Sequence, residues 1–166
     1  INSSDSPLFK KRKTLYNIHR AKKYIRKHNL PLILVEGYID VISMYHIGMY
    51  GAVAPLGTSM SEDQLILMWK YNSEPIICMD GDNAGYKSAI RTLNLALPHL
   101  KPGKSLKFAA LPEGQDPDSL ITSGKKQELQ KVIDNAISMF DFFWNTETDN
   151  ISLDTPERRA AFKREV

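Results

Sequence analysis

Cysteine is almost absent from this sequence: Cys78 is the single one among 166 residues, which excludes a disulfide within the chain. Long apolar runs are also missing, since no stretch approaches the roughly 18 apolar residues that a membrane-spanning helix needs. The N-terminus has no charged-then-apolar secretory leader. Because Cys78 lies in a short apolar run typical of a buried strand, we expect a reducing, cytoplasmic location. The chain begins at Ile1 rather than Met, which indicates a segment of a longer protein.

Several common active-site motifs are missing as well. The sequence has no G-x-x-x-x-G-K-[ST] phosphate loop, no G-x-G-x-x-G dinucleotide turn and no G-x-S-x-G nucleophile turn. These absences argue against a P-loop ATPase, a dehydrogenase and a serine hydrolase. The four histidines are scattered along the chain, and Cys78 has no second cysteine beside it, so no zinc site is expected.

What is present is a globular composition with an uneven distribution of charge. Hydrophobic residues make up 42% and charged residues 25%, values that exclude a disordered chain. Residues 1–31 contain nine Lys and Arg against Asp5 alone, a net charge of +8; because the whole chain carries +3, the other 135 residues carry −5. The basic segment therefore suits a polyanion such as nucleic acid, although a solvated helix face would have the same composition.

Short apolar runs alternate with helical patterns in the middle of the chain. Strands are predicted at residues 32–35, 51–54, 75–79 and 106–111, and helical patterns follow the first three. Ser61 and Gln64 form a capping-box pattern that begins the second of these helices. This order predicts an α/β fold of the Rossmann-like type, with a four-stranded parallel sheet flanked by helices.

The two ends of the chain show helical patterns only. In the basic segment, apolar residues repeat at helical spacing at Leu15, Ile18, Ala21 and Ile25. After Gly124, one continuous helical period includes Leu129, Val132, Ile133, Ala136, Ile137, Phe140, Phe143 and Trp144. Thr155 and Pro156 begin a last helix. We therefore expect three parts: a basic lead-in at 1–31, an α/β domain at 32–124 and a helical subdomain at 125–166.

Acidic residues follow three of the four predicted strands. They are Glu36 and Asp40 after the first, Asp80 and Asp82 after the third, and Asp116 and Asp118 after the fourth. Parallel sheets bind ligands at the carboxyl ends of their strands, and six carboxylates there repel one another unless something neutralises them. Mg²⁺ prefers such ligands, and two ions about 4 Å apart can hold both oxygens of a phosphoryl displacement. Taken alone, Asp80-Gly81-Asp82 and Asp116-Pro117-Asp118 are each also typical of turns.

Three glycines lie next to this edge in the predicted fold, and each has a possible role there. Gly37 follows Glu36 at a strand-to-helix turn, and Gly81 allows Asp80 and Asp82 to face one centre. Gly57 and Thr58, after the second strand, offer small backbone amides near the same edge, although Gly57 is also typical of a plain turn.

Three segments together resemble the signatures of bacterial DnaG-type DNA primases. They are residues 35–41 (VEGYIDV), 79–85 (MDGDNAG) and 111–118 (LPEGQDPD). Residues 54–59 (APLGTS) are similar to the segment between the first two signatures, and residues 8–11 with Leu15 and Tyr16 are similar to its lead-in. A glutamate followed by Asp-x-Asp marks the wider Toprim superfamily, whereas the forms found here are closer to primases. The resemblance implies a Toprim-like fold for the α/β domain.

The resemblance also implies roles for the acidic and basic residues. Catalytic roles would belong to Glu36, Asp80 and Asp82, with Glu36 as a general base or acid. More than one Mg²⁺, replaceable by Mn²⁺, would be held by Glu36, Asp40, Asp80, Asp82, Asp116 and Asp118. Nucleotide or nucleic acid would be bound by Lys11, Arg12, Lys23, Gly57 and Thr58.

As a DNA-directed RNA polymerase of the primase type, the protein would join ribonucleoside triphosphates into an RNA primer on single-stranded DNA. A replicative helicase would bind through a domain that lies outside this sequence, as do the zinc-binding module and the basic subdomain of the family. We therefore expect weak primer synthesis, or none, from this segment alone.

Three other functions remain open at this point. A Toprim nuclease or topoisomerase would share the acidic residues, although a topoisomerase needs a tyrosine nucleophile in a further domain. A non-catalytic nucleic-acid-binding module could use the same acids for a structural metal. A phosphoacceptor receiver domain also has acids at strand ends, but it needs a lysine after a fifth strand, and four strands are predicted here.

Overall fold

The structure is a computed structural model, and it describes residues 5–6, 9–57, 59–149 and 154–165. Its strands are β1 (Leu15–Tyr16), β2 (Ile33–Leu34), β3 (Ala52–Pro55), β4 (Ile76–Met79), β5 (Lys107–Ala110) and β6 (Ile137–Ser138). Its α-helices are α1 (Ile18–His28), α2 (Tyr38–His46), α3 (Glu62–Tyr71), α4 (Asn83–Ala96), α5 (Pro117–Thr122), α6 (Lys126–Asp134), α7 (Met139–Thr148) and α8 (Pro156–Glu165). Two 3₁₀ turns lie at Lys11–Lys13 and Leu97–His99. None of the described helices is long and apolar enough to cross a bilayer.

One sheet contains all six strands, in the order β1-β3-β2-β4-β5-β6. The four central strands are parallel and correspond to the four predicted strands, so the α/β expectation is confirmed. The two outer strands are antiparallel to their neighbours, β1 to β3 and β6 to β5. They come from the segments before and after the predicted α/β domain. The division at 31 and 124 stays a prediction, but the sheet extends across both boundaries.

The central strands are buried on both faces, which explains their uninterrupted apolar runs. Side chains alternate between two clusters. One face, which includes Leu34 and Ile77, packs with residues of α1, α3, α4 and α7. The other, which includes Ile33 and Cys78, packs with residues of α2, α5 and α6. The helices thus cover both faces and leave the carboxyl ends of the parallel strands at one edge.

Two elements differ from the helical patterns that the sequence predicts. Leu15 lies in β1, opposite Pro55, because Asn17 adopts a left-handed conformation (φ 65°) and turns the chain into α1. Ile137 lies in β6, opposite Phe108, so the predicted continuous helix is two helices with a strand between them. The hydroxyl of Ser138 accepts the N–H of Asp141 at 3.1 Å and begins α7 there. A left-handed residue before α1 and a serine cap before α7 thus override the apolar period.

Candidate active site

Three acidic segments meet at the carboxyl edge of the sheet. Glu36 follows β2, Asp80 and Asp82 follow β4, and Asp116 precedes α5. One carboxylate oxygen of Glu36 accepts the backbone N–H of Asp80 at 3.3 Å, which joins the first segment to the second. The negative charges of Glu36, Asp40, Asp116 and Asp82 all act on the Asp80 carboxyl. The edge therefore brings five of the six predicted acids into one electrostatic neighbourhood, with Asp80 at its centre.

Asp40 connects the first segment to the third. Its carboxylate oxygens accept the N–H of Gly37 at 3.0 Å and the N–H of Asp118 at 3.2 Å. The side chain is buried. Burial raises the pKa of Asp40, although the two N–H donors lower it and so favour the charged form. Both oxygens of Asp40 are thus already engaged by the backbone.

The second and third segments are joined through backbone hydrogen bonds. The N–H of Gly81 donates to the carbonyl of Gln115, and the N–H of Gly114 donates to the carbonyl of Gly81, both at 2.8 Å. A Cβ on Gly81 would lie 1.9 Å from the carbonyl oxygen of Pro112. Glycine at position 81 is therefore needed for this close approach of two acidic loops.

Three of the other acids accept hydrogen bonds from neighbouring residues. Asp82 caps α4 by accepting the N–H of Gly85 at 2.7 Å. Asp116 caps α5 by accepting the N–H of Ser119 at 2.6 Å. Asp118 accepts the hydroxyl of Ser43 on α2. These contacts fix each carboxylate in orientation and leave its other oxygen for a further ligand.

Asp80 differs from the rest. Burial, followed by repulsion from Glu36 and the other acids, raises the pKa of Asp80 from 3.8 to about 7. Its Oδ1 is the one buried side-chain oxygen or nitrogen without a hydrogen-bond partner among the described residues. An acceptor of this kind is costly to leave unpaired, so it is suited to a ligand that brings positive charge.

The acids are neighbours, but they are not arranged as a finished metal cage. Among residues 5–6, 9–57, 59–149 and 154–165, no three Asp, Glu, His or Cys side chains converge closely enough to hold an ion. Asp40, Asp82 and Asp116 instead accept hydrogen bonds from backbone N–H groups. The predicted six-carboxylate metal site therefore stays a prediction, and Asp80 is the member whose buried oxygen lacks a hydrogen-bond partner.

The predicted basic residues lie in two elements. Lys11 and Arg12 are in the first 3₁₀ turn, and α3 fixes the backbone of that turn. The side-chain amide of Gln64 donates to the carbonyl of Lys11 at 3.0 Å, and the hydroxyl of Ser61 donates to the carbonyl of Arg12. Lys23 is exposed on α1. A fixed backbone beneath long basic side chains is suited to binding a polyanion.

The glycine loop after β3 is the remaining predicted element. Gly57 has φ 128°, a conformation that favours glycine, and it lines the same small cavity of about 30 Å³ as Glu36. Thr58 lies outside the described residues. Gly57 is therefore near the first acidic segment, as predicted, while its role in binding stays a prediction.

Sequence reasoning missed two supporting residues. Gln64 holds the basic turn, whereas the capping-box pattern only predicted that it would begin α3; its amide also donates to Thr14 at 2.8 Å. Ser43, which donates to Asp118, lies one helical turn after Asp40 and so shares its face of α2. That spacing was the available signal for Ser43.

Comparison with known proteins agrees with this geometry. A family model described as Toprim-like matches residues 33–121. The DNA primase of Rickettsia felis is 40% identical over 168 aligned residues, which include all of this chain and 28% of the relative. The crystal structure of a DNA primase domain from Pseudomonas aeruginosa has a TM-score of 0.89 at 34% identity, over 98% of this chain and 50% of that one.

A second solved structure, the DnaG primase catalytic domain bound to ssDNA, has a TM-score of 0.84 at 34% identity, over 99% of this chain and 53% of that one. The chain spans little more than a quarter of the length of the curated primases that it matches. The similarity read from the three sequence signatures is thereby confirmed. Because the family model covers more than half of the chain, the chain belongs to the Toprim-like family, and along its whole length it resembles part of the catalytic core of DnaG primases.

Proposed function

We propose that this chain is the Toprim part of a primase catalytic core, which joins ribonucleotides into RNA primers on single-stranded DNA. The observation that carries the proposal is the acidic edge, where Glu36, Asp80 and the third acidic segment meet within a primase-like fold. The similarity to a DnaG catalytic domain bound to ssDNA supports a single-stranded template. Ribonucleoside triphosphates, the RNA primer and a replicative helicase are further partners in this proposal, the helicase through a part outside this chain.

The acidic edge is suited to divalent metal in its donor chemistry. Its donors are carboxylate oxygens, which Mg²⁺ prefers, and Asp80 Oδ1 is a buried acceptor without a partner in the described part of the chain. When bound, Mg²⁺ or Mn²⁺ would supply positive charge that neutralises substrate phosphates. We propose that Asp80, Asp82 and Glu36 hold the ions. Because the side chains are not yet converged, substrate phosphates would complete the site, as is usual for Mg²⁺.

The other acids have supporting roles in this proposal. Asp40 binds two backbone N–H groups and so holds the first and third segments together, while each of its oxygens keeps one lone pair for a metal. Asp116 and Asp118 are fixed by Ser119 and Ser43 and would add charge. Catalysis then rests on positioning and charge stabilisation, which is the general pattern of phosphoryl transfer.

Glu36 is the candidate general base or acid. It lies two residues after the end of β2 and is oriented by the N–H of Asp80. A carboxylate near the reacting oxygens can remove the proton of an attacking hydroxyl group. The basic residues Lys11, Arg12 and Lys23 would bind nucleotide or template phosphates without reading sequence.

Mn²⁺ titration of this chain tests the metal site directly. The chain is titrated with Mn²⁺, followed by electron paramagnetic resonance, in parallel with Asp80→Asn and a control, Glu62→Gln, whose side chain is exposed on α3. We expect saturable binding that is at least about tenfold weaker in Asp80→Asn, because the buried charged acceptor is lost, and unchanged in Glu62→Gln. Equal affinity in all three proteins would contradict the proposed site.

Primer synthesis tests the reaction in the complete primase that contains this segment. The primase is incubated with single-stranded DNA and ribonucleotides, and Glu36→Gln is compared with Glu62→Gln. Elongated RNA that is lost only in Glu36→Gln supports the proposal. Shortened DNA would instead indicate a Toprim nuclease, and full activity of Glu36→Gln would indicate a non-catalytic role for the acids.

A further inference from the structure

A cavity of about 570 Å³ lies beside the acidic edge. Asp80 and Asp82 form part of its wall, and its other lining residues have no role in the proposed function. It is bounded by the end of β4, the start of α4, the outer side of β5, and α6 with α7. Strand β6 pairs only with Lys107 and Phe108, so among the described strands Ala109 and Ala110 have no partner on their outer side. The cavity occupies this side of β5. Its volume falls within the range of about 300–1,000 Å³ that is typical of small-molecule sites.

Aromatic rings form a large part of the cavity wall. Phe108 and Phe142 stack with ring centroids 4.1 Å apart and nearly parallel planes. Tyr86 meets Phe142 edge-on at 6.2 Å, and its side chain is exposed. Ala89 and Val132 add small apolar surfaces. Such a wall favours a planar aromatic molecule, because stacked and edge-on ring contacts add to the burial of apolar area.

The charged groups that line the cavity are predominantly acidic. They are Asp80, Asp82, Glu113 and Glu128, against Lys131 alone. Lys125 lies 3.7 Å from Glu128 and offsets part of this charge. Asp82 and Glu113 are exposed, and Asp80 has its buried, unpaired Oδ1. The excess of carboxylates would repel a free nucleotide or other anion and attract a cation.

We propose that this cavity binds a planar aromatic cation, with its rings against Tyr86 and Phe142 and its N–H donors at Asp80 and Asp82. The ligand class follows from the aromatic and the acidic parts of the cavity lining. Aromatic ring faces attract both a flat apolar molecule and a positive charge. The buried oxygen of Asp80 lacks a hydrogen-bond donor, which an N–H group of the ligand would supply. A bound molecule of this class would occupy Asp80 and so compete with divalent metal. The cavity is thus an inhibitory site that shares Asp80 and Asp82 with the proposed catalytic centre.

The cavity itself does not depend on the proposed primase function; only the competition with metal does. The test therefore begins without metal. Proflavine, a planar three-ring cation at neutral pH, is titrated into the chain and followed by its own fluorescence, with acridine, its neutral parent, as the matched probe. We expect saturable binding of one proflavine per chain and at least about tenfold weaker binding of acridine, as charge pairing at a partly buried carboxylate implies. No proflavine binding, or equal binding of both probes, would overturn the proposal.

Variants locate the site. Ala89→Leu fills the cavity without changing charge, and Phe142→Leu removes a ring while keeping an apolar side chain. Each is expected to weaken proflavine binding about fivefold or more. Phe142→Leu loses an aromatic or cation–π contact, and the larger side chain of Ala89→Leu occupies volume that the ligand needs. Glu62→Gln, whose residue does not line the cavity, should bind proflavine as the unchanged chain does. The folds of both cavity variants are verified by circular dichroism. Unchanged proflavine binding in both variants would overturn the proposal. If one variant fails to fold, unchanged binding in the other would overturn it.

Metal competition separates this inference from the proposed function. Mn²⁺ is expected to lower the apparent affinity for proflavine in proportion to its own occupancy. Proflavine binding that persists in a chain with no Mn²⁺ affinity would contradict only the metal site. Mn²⁺ binding in a chain that does not bind proflavine would contradict only the cavity proposal.

Discussion

The backbone N–H of Asp118 donates to Oδ1 of Asp40 at 3.2 Å, across 78 positions of the sequence. The other oxygen of Asp40 accepts the N–H of Gly37, the residue that immediately precedes α2. One buried carboxylate thus holds α5 against the start of α2. In this fold, part of the acidic charge at the sheet edge maintains the architecture that brings the remaining acids together.

Asp40→Ala is expected to destabilise the chain by about 2–4 kcal/mol, because two N–H groups lose a charged acceptor in a part-buried setting. Urea unfolding followed by circular dichroism measures the effect. Asp63→Ala is the matched control, since Asp63 is exposed and its nearest cation, Lys13, is 3.8 Å away, a surface pair that contributes about 0–1 kcal/mol. Equal stabilities of the two variants would show that Asp40 does not hold the segments together.

Gly81→Ala is expected to separate the second and third acidic loops. The added Cβ would lie 1.9 Å from the carbonyl oxygen of Pro112, a backbone atom that cannot move without the loop. We expect loss of Mn²⁺ affinity together with a lower unfolding midpoint. Gly103→Ala is the control: Gly103 has a positive φ (77°) but open space around it, so only the backbone penalty of about 1–2 kcal/mol applies there. If Mn²⁺ affinity falls equally in both variants, the close approach of the second and third acidic loops does not determine that affinity.

Much of the fold could be predicted from the sequence because the relevant signals are local. Four apolar runs gave the four central strands, and Ser61 with Gln64 gave the start of α3. The edge strands could not be predicted, because their two-residue lengths carry no period and their apolar residues also suit a helix. Leu15 and Ile137 fitted the helical spacing, and only the tertiary contacts with Pro55 and Phe108 reveal the strands.

The sequence indicated which acidic residues lie at the sheet edge, but not which hydrogen bonds they accept there. Strand ends of a parallel sheet converge by topology, so Glu36, Asp80 and Asp116 could be grouped from sequence alone. Which oxygens accept backbone N–H groups depends on loop conformations that sequence patterns do not specify. The cavity beside β5 likewise arises from the shortness of β6, a property of long-range pairing.

Cys78 is expected to be unreactive toward thiol reagents in the folded chain. Burial, and then the negative charges of Asp80 and Asp40, raises the pKa of the Cys78 thiol to about 12. The thiolate that reacts is therefore scarce at neutral pH, and the side chain is inaccessible. Labelling with a coloured disulfide reagent should occur at the rate of unfolding and become fast in urea. Rapid labelling in native buffer would contradict the buried position in β4.

Asp80 should make the metal-free chain less stable as the pH rises. Its pKa is about 7 in the folded chain and 3.8 ordinarily, so the folded state holds a proton that the unfolded state releases. Between these values the folded state binds more protons, and the unfolding free energy therefore falls with increasing pH and levels off above about 7. Asp80→Asn lacks this titration. We expect its melting temperature to exceed that of the unchanged chain at pH 8 by more than at pH 5.5.

Adding Mn²⁺ then tests whether the charge of Asp80 causes this difference in melting temperature. A cation at Asp80 replaces the proton, so saturating Mn²⁺ at pH 8 should raise the melting temperature of the unchanged chain and leave Asp80→Asn nearly unaffected. Asp63→Asn, an exposed carboxylate, serves as the control for general charge effects. A stability difference between Asp80→Asn and the unchanged chain that stays constant from pH 5.5 to 8 would show that burial and neighbouring charge do not raise the pKa of Asp80, and that the acids at this edge are already compensated without metal.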